Sequence, residues 1–122
     1  MGNAYEIPGF KLGVLPAAAD LSANQFQAVK VVSSSGTKVN IPSASGDDII
    51  GILQNAPESN EAAEVMVTGV SKAKLGDTVA IGDKLQIDAS GRLVPVGAGQ
   101  VVARSLAVGA VNEIVSVLLL RD

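Results

Sequence analysis

The sequence predicts an all-β fold: a small barrel or sandwich domain of short antiparallel strands, preceded by an extended N-terminal arm. Three observations carry this. Short runs rich in Val, Ile and Leu alternate with polar residues at a period of two. Clusters of Gly, Pro, Asp and Ser interrupt them every few residues. No stretch keeps a 3.6-residue period long enough for a helix of several turns; over residues 101–115 the helical alternative fails on Gly109 and the β-branched content.

The arm spans residues 1–19 and the β-rich domain residues 20–122. Within the arm, Pro8 and Pro16 hold the residues before them extended, and no periodicity develops. The segment is nevertheless apolar and contains Tyr5 and Phe10, two of the three aromatic residues. A disordered tail is normally polar, so the arm is expected to order by lying on something. Either a partner receives it, with Tyr5, Ile7, Phe10, Leu12 and Leu15 as anchors, or it folds back over its own core.

Asp20 can cap a single turn over Leu21–Gln25. Strands are then expected over residues 26–32 and 37–42, joined as a hairpin by Ser33-Ser34-Ser35-Gly36. An apolar strand at 49–54 is interrupted by Gly51, a signal of a bulge or a close backbone approach. A strand pair is expected around Gly69 (64–68 and 70–74). Gly76-Asp77 and Gly82-Asp83 bracket a short apolar run. Residues 84–88 and 92–96 read as a hairpin turned by Ala89-Ser90-Gly91, with Pro95 at an edge or a strand end. The last two strands lie over 100–106 and 113–120. The final one is apolar on both faces, which implies cover on two sides; Val115, Val117 and Leu119 are taken as the face toward a partner subunit.

Composition bounds the chemistry. In 122 residues there is no His, Cys or Trp, and the formal net charge is −3. Disulfides, thiolate sites, thiol nucleophiles and the usual neutral-pH acid–base group are thereby excluded. An acidic chain does not suit nucleic acid, whose binders carry basic surfaces. No run of about 20 apolar residues could span a membrane as a helix, and the N-terminus has no signal-peptide pattern.

Candidate motifs resolve into turn chemistry. Asp47-Asp48 offers too few oxygens for calcium. Asp77 and Asp83 each follow a glycine in a turn. Asp88-Ala89-Ser90-Gly91 resembles one aspartic-protease loop, but such a site needs two. The serines at 33–35 have no base to activate them. Gly97-Ala98-Gly99 is too short for a dinucleotide fingerprint, and Val65-Met66-Val67 lacks the lysine of a biotin carrier. Neither an enzyme nor a cofactor or metal site is expected; surface is what remains.

The order of motifs resembles one family. Asp20-Leu21-Ser22-Ala23-Asn24-Gln25-Phe26-Gln27-Ala28-Val29-Lys30 is followed by Gly51-Ile52-Leu53-Gln54-Asn55-Ala56-Pro57. Then come Ala63-Glu64-Val65-Met66-Val67-Thr68-Gly69-Val70-Ser71-Lys72, Ile81-Gly82-Asp83-Lys84-Leu85 and Asp88-Ala89-Ser90-Gly91-Arg92-Leu93. Across residues 20–120 this is similar to the capsid cement, or head decoration, proteins of tailed bacteriophages; Ala107–Asn112 is more apolar than that pattern. The resemblance implies a β-tulip or small-barrel fold and a structural role in the virion. It implies homotrimers on the outer surface of the phage head, at three-fold and quasi-three-fold sites, bracing neighbouring major capsid subunits. The protein would be made in the host bacterial cytoplasm. Partners would be the phage major capsid protein and the chain itself, with no nucleic acid and no membrane. The alternative is a virion or tail-associated β-module that binds a host surface glycan; three aromatic residues are few for stacking on sugars.

Overall fold

The computed structural model describes Ala4 and residues 7–120, and of Ile7 and Pro8 the backbone alone. Among them there is no α-helix and there are eleven strands: β1 (Ile7–Pro8), β2 (Lys11–Leu12), β3 (Ala28–Ser33), β4 (Thr37–Asn40), β5 (Gly51–Leu53), β6 (Val65–Met66), β7 (Gly69–Lys74), β8 (Lys84–Ile87), β9 (Leu93–Pro95), β10 (Ala103–Ser105) and β11 (Ile114–Leu119). They form a six-stranded sheet, β1-β7-β11-β10-β8-β9, and a five-stranded sheet, β2-β6-β5-β3-β4. Every strand pairing is antiparallel.

The two hairpins form as the alternation implies. Val31 faces Val39 across β3–β4, and Ile87 faces Leu93 across β8–β9. Pro95 ends an edge strand, where its missing N–H costs no ladder bond. Around Gly69 the expectation needs correcting. Strands β6 and β7 are consecutive but do not pair, because Gly69, at φ 106°, turns the chain from one sheet into the other. The run at 78–81 forms no strand, only an isolated bridge from Val79 to Gly109.

The two sheets repeat one topology. Strands β2–β6 are ordered β2-β6-β5-β3-β4, and β7–β11 are ordered β7-β11-β10-β8-β9, so the five-strand units match strand for strand. The correspondence extends to single hydrogen bonds. Phe26 N–H donates to Leu53 O at 2.7 Å, and Gly82 N–H to Ser105 O at 2.8 Å. Leu53 N–H donates to Gln27 O and Ser105 N–H to Asp83 O, both at 2.9 Å. Leu21 N–H donates to Pro57 O and Val79 N–H to Gly109 O, again both at 2.9 Å. The parallel bridges Ala17–Val39 and Leu75–Leu93 match as well.

Each unit has its own apolar core. In the first, Ala17, Leu21, Val29, Val39, Leu53, Ala63 and Val65 pack together. In the second, Leu75, Val79, Leu85, Leu93, Val115 and Val117 occupy the corresponding places. The opposite face of the five-stranded sheet, carried by Ala28, Ile52 and Met66, packs into the second core and joins the units. The resulting surface, 5732 Å², matches the roughly 6,000 Å² expected of a monomer of this mass.

Residues 7–17 are woven into this architecture. β1 extends the six-stranded sheet beyond β7, β2 extends the other beyond β6, and the segment between them follows the 66–69 corner. There Gly9 N–H donates to Thr68 O at 3.3 Å, and Phe10 N–H to Thr68 Oγ1 at 2.8 Å. Of the two resting places considered for the arm, the described part takes its own chain.

Candidate docking surface

The acidic turns hold their carboxylates locally. Asp88 Oδ1 accepts from the N–H groups of Ser90 and Arg92 and from Ser90 Oγ–H, and its Oδ2 accepts from Arg92 Nε at 3.0 Å. This closes the β8–β9 hairpin. Asp77 Oδ1 accepts from Thr78 N–H and Asp83 Oδ2 from Ala80 N–H. Asp20 Oδ1 caps Ser22 N–H at 3.0 Å, and its hydrogen bonds with Ser22 hold the carboxyl below its ordinary pKa. Asp47 is bonded by Lys30 Nζ at 2.8 Å, which lowers its pKa in the same way. Asp20, Asp77, Asp83 and Asp88 are engaged within their own turns, whereas Asp47 is also held by Lys30 on β3. Among the described residues no group of three or more acidic side chains comes together around a metal-sized space.

The expected interface residues separate into distinct environments. Tyr5 lies outside the described residues, and Ile7 is placed by its backbone alone. Phe10 is 58 % exposed on the 66–69 corner, while Leu12 is half-buried. Leu15 packs against the first core. Val115, Val117 and Leu119 require a correction: all three are buried in the second core, because the five-stranded sheet covers that face of β11. The more exposed face is the alternate one, where Ile114 and Leu118 are 38 % and 37 % exposed on either side of the buried Ser116.

That face belongs to a wider surface which the sequence reading missed. Across the six-stranded sheet one continuous row of neighbours runs Lys84, Arg104, Leu118, Val70. Ser116 faces Lys72 in the next row and Ile114 faces Lys74 in the one after. Four cations therefore share a sheet face with Val70, Ile114 and Leu118. Among the described residues the ion pairs are Lys11–Glu64, Lys30–Asp47 and Arg92–Asp88, so none of the four is paired with a carboxylate. Lys72 Nζ instead sits 5.6 Å from the centre of the Phe26 ring, at cation–π distance. The alternation of Val70, Lys72 and Lys74 along one strand was the available signal.

At one end of the sheet, the turns at 78–83 and 106–113 flank an open groove of about 650 Å³ lined by Ile81, Leu106, Val108 and Ala110, with Ile81 69 % exposed. In the first unit the positions matching Leu106–Val111 are Gln54, Asn55, Ala56, Pro57, Glu58 and Ser59, four of them polar. The apolar character of residues 106–111 is thus particular to the second unit. Exposed aliphatic side chains beside cations without a carboxylate partner can bind a surface of mixed apolar and acidic character.

No protein-family model matches the sequence, and no curated protein matches it. Among solved structures the fold is similar to the head fiber gp8.5 N base of bacteriophage phi29. The TM-score is 0.75 over 93 % of this chain and 97 % of that one, at 11 % sequence identity. The likeness at that identity is one of fold.

Proposed function

We propose that this protein is a structural component of a bacteriophage virion, carried on the outside of the head. It binds there as trimers at three-fold and quasi-three-fold positions and braces neighbouring major capsid subunits. The observation that carries the reading is the fold shared, over nearly the full length of both chains, with a phage head fiber base. The order of motifs, similar to that of head decoration proteins, supports the same reading. So does the exposed surface of Ile81, Leu106, Val108, Ile114 and Leu118. The role is one of binding rather than catalysis. A repeated shell suits it, because weak contacts made by several linked copies sum to firm attachment. Against glycan binding stands the shortage of rings: of the two described aromatic residues, Phe26 already receives Lys72.

The test is to mix purified protein with expanded heads of the parent phage that lack it and to image them by cryo-electron microscopy. Added density at three-fold and quasi-three-fold positions, with greater resistance of the heads to heat, is the expected result. Heads that stay bare at saturating protein overturn the proposal.

A further inference from the structure

The matching of the two units exposes one asymmetry. On the first unit the outer sheet face presents Ala28, Ile52 and Met66, all buried against the second unit. The corresponding positions on the second unit are Lys84, Arg104 and Leu118, and among the described residues no further sheet lies over them. On this face Gln86, whose Oε1 accepts from Gly97 and Gly99 N–H, and Ser116, between Ile114 and Leu118, are buried among their neighbours. Positions that the fold buries under a second sheet in one unit have no sheet over them in the other, and there they carry, around Ile114 and Leu118, four cations that no carboxylate pairs among the described residues.

Charge indicates the occupant. With four of the nine Lys and Arg residues on this face, the other five and the twelve carboxylates leave the rest of the chain at −7. Glu58, Glu61 and Glu64 are exposed on the β5–β6 connection of the first unit; Glu64 pairs with Lys11, and among the described residues no ion pair joins the three to these cations. Two different surfaces of one molecule are therefore complementary, which favours head-to-tail association between copies.

We infer that Lys72, Lys74, Lys84 and Arg104, with Ile114 and Leu118, form one half of a subunit interface whose other half is the Glu58–Glu64 connection of a second copy. The contact is heterologous, so it closes into a ring when its rotation permits. This deepens the proposed trimeric role and rests on it.

The experiment measures the mass of the full chain by light scattering and sedimentation at low and high salt. Wild type is expected to be oligomeric and to dissociate as salt rises, since exposed charges are screened. A Lys72→Glu/Lys84→Glu variant and a Glu58→Lys/Glu64→Lys variant should each be monomeric at concentrations where wild type is not, with unchanged circular dichroism. An equimolar mixture of the two should recover an oligomer through the swapped charges. Should the first variant lose its fold, Leu118→Asp on the same exposed face replaces it and must also give monomers. Variants that keep the wild-type mass, or a mixture that stays monomeric, overturn the interface. Protein that coats heads but is monomeric both in solution and on them overturns the interface and leaves the head role standing. A salt-sensitive oligomer that ignores heads does the reverse.

Discussion

Asn60 and Asn112 occupy the same place in the two halves of the chain. Each has a φ of 68°, and each donates its backbone N–H at 2.8 Å to a carbonyl on the strand-like segment beside it, Ala17 in one unit and Leu75 in the other. Each side-chain Oδ1 accepts from a cation on or just before the second strand of its unit's hairpin: Lys38 Nζ at 2.7 Å and Arg92 Nη1 at 3.0 Å. The next residue is a glutamate in both, and its Oε1 accepts from the N–H three residues earlier, that of Glu58 or Ala110, at 2.7 Å. One turn has been built twice, down to its capping carboxylate.

The equivalence makes a prediction about stability. Positive φ suits Gly and Asn and strains most other residues by about 1 kcal/mol or more. Asn60→Ala and Asn112→Ala should each cost about 1 kcal/mol, and by similar amounts. The Gly variants should stay within about 0.5 kcal/mol of wild type, because glycine enters this region freely. Urea denaturation checks both. Large costs from Ala and Gly alike would place the value of these residues in the side-chain bonds to Lys38 and Arg92.

Gly51 and Ala103 form a second matched pair that should behave differently. A Cβ on Gly51 would run into the carbonyl oxygen of Met66 and stand 2.8 Å from Val65 Cγ1, because β6 crosses β5 closely there. At the corresponding place in the second unit, Ala103 fits its surroundings fully buried. Gly51→Ala should therefore cost about 2 kcal/mol or more through overpacking against backbone. Ala103→Gly should cost only about 1 kcal/mol of chain entropy and lost contact. Thermal unfolding of the two variants separates the cases, and equal shifts would show that β6 gives way.

Val117 and Leu118 are neighbours in sequence on opposite faces of β11. Val117 is fully buried between the sheets, whereas Leu118 belongs to the open face. Val117→Ala removes two carbons from a packed core and should cost about 2 kcal/mol, the sum of lost transfer energy and the cavity left behind. Leu118→Ala should change the stability of the isolated chain by under about 0.5 kcal/mol. If Leu118→Ala proves as costly as Val117→Ala, the outer face is covered in the protein as purified, and the effect should then vary with protein concentration.

The all-β class, both hairpins and the local use of the Asp turns were legible in the sequence, because they rest on short-range chemistry: period-two alternation, Ser-Gly and Asp-Gly turns, and carboxylates within reach of nearby N–H groups. Whatever depended on long-range pairing was less so. That β6 and β7 part at Gly69 is decided by which sheet each strand joins. The final strand has aliphatic residues on both faces, so alternation does not say which face the core takes, and Val115, Val117 and Leu119 turn inward although the pattern equally allows them to face a partner. The repeat left one readable trace: Asn60-Glu61 with Val65 recurs fifty-two residues later as Asn112-Glu113 with Val117. Elsewhere the units share little beyond apolar character, since Ile52 matches Arg104 and Met66 matches Leu118. The buried outer face of one unit and the open outer face of the other select different side chains on the same backbone.

Asp47 provides a test by pH. Lys30 Nζ lies 2.8 Å from its Oδ2, and that bond holds the carboxyl below its ordinary pKa in the folded chain. The unfolded chain therefore binds the proton more readily, with an aspartate pKa of about 3.9. The contribution of this group to stability is complete above that value, declines as pH falls through it, and is gone below the folded pKa. In Asp47→Asn the charge is absent at every pH. The difference in urea midpoint between wild type and the variant should thus be constant from neutral pH to about pH 5, shrink below about pH 4, and close at the acid end. Half-open to water, the pair should also weaken in high salt. Both side chains keep an Oδ1 that can accept from Asp48 N–H, as Asp47 does at 3.0 Å, so a difference that persists undiminished into strong acid would mean that the charge of Asp47 is not what stabilises the 43–48 turn.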